Sequence, residues 1–166
     1  MRITATSMAA RDAELEKISS ALRKAVKVVE AAPGLWHMRL GDRVVGRMSV
    51  NGDQVKGVQI DDLKLRGMGL GRKFYGEVAR NVGGTISSDS EVSPAASRVW
   101  RSMEKSKSWK ARAAPHAHFD DEMGRYTTRK PWDADYDEAA AQARDEMPGR
   151  PSLISAALPQ KAVRRK

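Results

Sequence analysis

Six residues, Arg66-Gly67-Met68-Gly69-Leu70-Gly71, constrain this chain more than any others. They follow a run, Val55–Leu65, that reads as a strand with Val58 and Ile60 alternating before Leu63 and Leu65. After them, Phe74, Val78 and Val82 recur every four residues, which predicts an amphipathic helix over Arg72–Val82, ended by Gly83-Gly84. A Gly-rich loop feeding a helix leaves backbone N–H groups unpaired, and these attract phosphate together with the positive end of the helix dipole. Alternating glycines allow close backbone approach. Arg66 and Arg72 add fixed positive charge on either side. The competing motifs fail. A dinucleotide fingerprint would need Gly where Arg72 stands, and a P-loop would need Lys-Ser or Lys-Thr where Arg72-Lys73-Phe74 follows Gly71.

The surrounding pattern predicts an α+β fold. Leu15, Ile18, Leu22, Ala25 or Val26, and Val29 give one helix over Asp12–Ala31, ended by Pro33-Gly34. Leu35–Leu40, Val44–Val50 and Val55–Leu65, separated by Gly41-Asp42 and Asn51-Gly52-Asp53, read as an antiparallel meander. Thr85–Ser88 is a short strand. Ser93-Pro94 opens a helix carrying Ala96, Val99, Trp100 and Met103, with Ser as N-cap and Pro in the first helical position. Strand, loop, helix, strand, helix make a βαβα unit with near-parallel strands. Trp109–Ala114 and Gly124–Thr128 are candidate last strands. We divide the chain into a domain over 1–130 and a Pro-containing basic tail over 131–166, extended apart from a short helix at Tyr136–Glu146 and ending Lys161-Ala-Val-Arg164-Arg165-Lys166.

The loop resembles the [QR]-x-x-G-x-[GA] segment of the GNAT acyltransferases. Ser93-Pro-Ala-Ala96-Ser-Arg-Val99-Trp100 is similar to the N-x-x-A-x-x-L-Y segment that starts the next helix there, in a form that looks like phage-encoded members. The resemblance spans roughly residues 35 to 110. It implies a mixed sheet whose central strands splay, and acetyl-CoA as co-substrate. The pantetheine arm would pair with the first of those strands near Ile60 and Asp61. Arg66, Gly67, Met68, Gly69, Leu70, Gly71 and Arg72 would hold the pyrophosphate, and Ser93 stands where the family has Asn. The implied reaction is transfer of an acetyl group to an amine. The Tyr that often serves as acid falls on Trp100, whose indole N–H is no practical proton donor. Asp61 and Asp62 are the weak candidates for a base. The alternative is a GNAT-fold protein without turnover, a component of a phage virion or nucleoprotein.

Composition bounds the remaining chemistry. The 166 residues contain no Cys, which excludes disulfides, thiolate metal sites and Cys nucleophiles. No apolar run approaches the length of a membrane span, and no leader is visible, so the expected place is the host cytoplasm or the virion. The net charge of +9 draws polyanions, so nucleic acid and virion proteins are candidate partners through a basic surface and tail. Arg98, Arg101, Lys105, Lys107, Lys110 and Arg112 face Glu104 alone in their stretch, with Trp100 and Trp109 interleaved. His116, His118, Asp120 and Asp121 are metal-binding types without the i, i+4 spacing of helical zinc sites. G-x-S-x-G is absent, and Ser87 and Ser88 have no His close in sequence.

Overall fold

The computed structural model describes residues 5–147, 149, 151–160 and 163. Among them it is an α+β protein of four helices and a seven-stranded, mostly antiparallel mixed sheet. Helix α1 (Ala5–Ala25) leads into β1 (Lys27–Ala32). β2 (Leu35–Leu40), β3 (Arg43–Asn51) and β4 (Gln54–Ile60) complete an antiparallel meander. Helix α2 (Leu70–Asn81) carries the chain to β5 (Thr85–Ser87), which runs parallel to β4. Helix α3 (Pro94–Glu104) precedes β6 (Lys110–Ala113). A separate hairpin, β7 (Ala117–Asp120) with β8 (Arg125–Thr128), follows, then α4 (Glu138–Glu146) and β9 (Ile154–Ala157). The sheet order is β1-β2-β3-β4-β5-β9-β6.

Two parallel crossovers, β4-α2-β5 and β5-α3-β6, advance in the same direction along the sheet. Right-handed connections therefore put α2 and α3 on one face. The helices touch there: a Cβ on Gly71 would lie 3.1 Å from Val99 Cγ2, and Tyr75 and Trp100 meet edge-on at 5.0 Å. The core lies between these helices and the sheet, built from Met38, Val45, Met48, Phe74, Val78, Ile86, Trp100, Met103, Ile154 and Ala156.

Three expectations need correction. The helix expected over 12–31 stops at Ala25, and Lys27–Ala32 pairs with β2 as a strand. Val28 and Val29 fit the helical stripe but are β-branched, and a neighbouring strand rewards them more. The strand expected to reach Leu65 ends at Ile60, and Leu63–Leu65 is a 3-10 turn capped by Asp62, whose carboxylate accepts from Lys64 N–H at 2.9 Å. The segment expected as an extended tail supplies β9, inserted between β5 and β6 and paired with both. Leu153, Ile154 and Ala156 are buried there, so this part of 131–166 is core. The terminal run Lys161, Ala162 and Arg164–Lys166 lies outside the described residues.

Candidate functional site

The sheet opens between β4 and β5. These two strands share a single partnered position, Gln54 with Ser87, whereas β3 and β4 pair along their length. Beyond Ser87 the chain turns away towards the start of α3. The resulting cleft has a volume of about 230 Å³. Its β4 wall is Val55, Lys56, Gly57 and Val58, the opposite wall is Ser88, Asp89, Glu91, Val92 and Ser93, and Tyr75, Ala96 and Trp100 contribute from the helices. The β3–β4 register slips between Ser49 and Val50, so Val55 faces Val50 and Gly57 faces Ser49. Lys56 is thus the extra residue of a β-bulge, a device that bends a strand and re-aims its backbone.

The polar groups of the cleft have distinct settings. Ser88 is buried; its Oγ donates to Asp89 O at 2.8 Å and accepts from Leu153 and Ile154 N–H at 3.0 and 3.1 Å. It is a joint between the cleft wall and β9, not a free nucleophile. Asp89 is ion-paired with Lys56 at 3.3 Å. Glu91 is exposed and in no ion pair with a described residue. Tyr75 is almost fully enclosed, with Trp100 donating its indole N–H to the phenol oxygen. Burial pushes the Tyr75 hydroxyl far up, more than the Trp100 bond draws it down, so it keeps its proton throughout the physiological range.

The Gly-rich loop forms the entrance to α2. Gly67 and Gly69 have φ of +78° and +76°, a conformation that side chains with a Cβ rarely adopt. Gly69 is the N-cap and supplies no side-chain acceptor to the first turn. A Cβ on Gly67 would meet nothing within 4 Å, so the loop is open on that side. Cations surround it. Arg72 Nη2 donates to Ser106 Oγ at 2.5 Å, tying the loop to the end of α3. Arg66 donates to Ile60 O at 3.2 and 3.3 Å. Arg23 of α1 donates to Met68 O at 3.1 Å and is held by Glu16 at 2.7 Å. Sequence reasoning missed Arg23, since 45 residues separate it from Met68 and nothing local marks it.

The other expected site residues are placed as follows. Ile60 and Asp61 do not line the cleft, which opens nearer the start of β4. The Asp61 N–H donates to Val45 O at 2.9 Å, and the Ile60 carbonyl is taken by Arg66. Asp61 is ion-paired with Arg47 at 2.5 Å and Asp62 with Arg43 at 3.1 Å. Ser93 lines the cleft but spends its hydroxyl on the α3 N-cap, accepting from Ala96 N–H at 3.2 Å. Trp100 and Trp109 are buried, so neither offers an exposed ring. His118 lies beside Asp133 at 3.9 Å and Asp120 accepts from Met123 N–H; among the described residues no group of three or more metal-ligating side chains forms. No described helix is long and apolar enough to cross a membrane. Set against known protein families, curated proteins and solved structures, the chain matches none of them.

Proposed function

We propose that the chain is a GNAT-type N-acyltransferase that moves the acetyl group of acetyl-CoA to an amine. The observations that carry this reading are the opening between β4 and β5, which Tyr75 of α2 helps to line, and the uncapped, arginine-flanked start of the same helix. The Gly67–Gly71 backbone and Arg66, Arg72 and Arg23 fit a pyrophosphate by charge and donor type. Acetyl-CoA supplies an activated thioester. The acceptor nitrogen bonds to its carbonyl carbon, the carbon–sulfur bond breaks, the electron pair leaves on sulfur, and the amine gives up a proton.

Within this reading Tyr75 takes the place that Trp100 cannot fill. Its hydroxyl is protonated, held by the Trp100 N–H and part of the cleft lining, so it is the donor available to a departing thiolate. Glu91 is the uncommitted carboxylate on the opposite wall and attracts a cationic acceptor. The second reading, a GNAT-fold protein without turnover, is favoured by one observation: Asp61 and Asp62 are both engaged by arginines.

The experiment is a melt with acetyl-CoA followed by an assay of thioester cleavage over lysine peptides, polyamines and aminoglycosides. A ligand that binds only the native state raises the melting temperature. Gly69→Asp should abolish that rise. Tyr75→Phe should keep it and lower turnover by about 10²-fold, the range of a lost proton donor. No shift at millimolar acetyl-CoA sinks the enzyme reading. A shift without turnover on any amine selects the non-catalytic one.

A further inference from the structure

Over β5, β9 and β6, no described residue covers the face of the sheet opposite α2 and α3. Residues directly paired across antiparallel strands share a face. Thr85, Ala157 and Lys110 therefore stand in one row, and Ser87, Ser155 and Arg112 in the next. Their neighbours Ile86, Ala156 and Ala111 point the other way, into the core. Thr85, Ser155, Lys110 and Arg112 are exposed, so no described element covers this surface. It is a floor of small side chains, two of them Ser and one Thr, with two cations along its outer strand. The floor is roughly 10 Å from β5 to β6, and Lys110 and Arg112 are about 7 Å apart along their strand. Lys105 and Lys107 lead into the same strand. None of these four cations is ion-paired with a described residue. Neither β6 nor β9 contains an acid.

We propose that this β5–β9–β6 face binds nucleic acid through its phosphates. Unpaired Lys and Arg beside the Thr85 and Ser155 hydroxyls suit phosphate oxygens, while the Ser87 hydroxyl at the edge of the floor donates to Asp53 Oδ1 at 3.4 Å. An acidic peptide is the poorer fit, because a peptide needs pockets for alternate side chains and this floor of Ser, Thr and Ala has none. With Trp100 and Trp109 buried, neither supplies a base-stacking platform, so binding follows the backbone and is indifferent to sequence.

The test is fluorescence anisotropy of the full chain with labelled oligonucleotides of unrelated sequence, at about 50 and 200 mM salt. Binding should be similar for all sequences and fall steeply between the two salt concentrations. Lys110→Glu with Arg112→Glu should weaken it by about tenfold or more and flatten the salt dependence. Ser155→Glu, in the middle of the floor, should weaken it independently. Lys17→Glu with Lys24→Glu on α1 makes the same charge change elsewhere and should have little effect. A thermal melt of each variant verifies that it folds. The proposal is overturned by no binding at the lower salt, by equal loss in the α1 control, or by polyglutamate displacing the oligonucleotide at matched charge. Displacement by coenzyme A alone would place the polyanion in the Gly loop and overturn it too.

Discussion

Ser88 joins two distant parts of the chain through one oxygen. Its Oγ receives N–H groups from Leu153 and Ile154, 65 and 66 residues away. Ser88→Ala leaves two buried donors without that acceptor, and each unsatisfied group costs about 1–3 kcal/mol. We expect a loss of about 2–4 kcal/mol in urea denaturation; a loss within experimental error would mean that β9 is held by its ladders alone. His116 is a second buried polar group with a consequence. Desolvation, reinforced by Arg144, lowers its pKa below the ordinary value of 6.5, against a smaller opposing effect of a backbone hydrogen bond with Ser152. The folded state then resists protonation that the unfolded state accepts. The stability contributed by neutral His116 is full above pH of about 6.5 and is lost as pH falls through and below it. His116→Gln should shallow the fall in melting temperature on acidification from about pH 7 to 5; an unchanged profile would assign that fall to other groups.

At the scale of elements, β9 matters most. It is only four residues long, yet it is hydrogen-bonded on both sides. Removing residues 148–166 takes away both ladders and the buried Leu153, Ile154 and Ala156. Fully burying one large aliphatic side chain stabilises by about 1.5–3 kcal/mol. With the paired backbone added, the loss rivals the whole stability of a domain this size, about 5–15 kcal/mol. The truncated chain should show no cooperative thermal transition. Ile154→Ala gives a graded version, costing about 2–5 kcal/mol. A truncated chain that melts like the intact one would return 131–166 to the status of an appendage. Helix α1 stands at the other extreme. Met8, Leu15 and Ile18 are exposed, and its ties to the body run through Leu22, Arg23 and the following Val26.

At the scale of the whole molecule, the legible parts were those written in adjacent residues. The turns at Gly41-Asp42 and Asn51–Asp53, the alternation of the meander, and the cap at Ser93-Pro94 all fall where local chemistry puts them. So does the loop at Arg66–Gly71, because positive φ and an uncapped helix start are properties of a few neighbouring residues. Lys27–Ala32 misled because Val28 and Val29 satisfy a helical period as well as a strand's, and only pairing with β2 decides. Ile154–Ala157 gave no signal, since Ser-Ala-Ala has little strand preference and becomes a strand by filling the space between β5 and β6. The candidate site divides in the same way. Arg66, the glycines and Arg72 were visible, whereas Lys56, Asp89, Glu91 and Arg23 reach it from separate segments. Sequence alone determined the turns, the α3 cap, the glycine loop and the positive charge, because φ/ψ preference and ionisation belong to single residues and their neighbours. The tertiary structure decided the opening between β4 and β5, the place of β9 between β5 and β6, and the cationic face that no described element covers. Each of these depends on which strands meet across long stretches of chain, and that is settled by burial and backbone pairing between segments that do not adjoin.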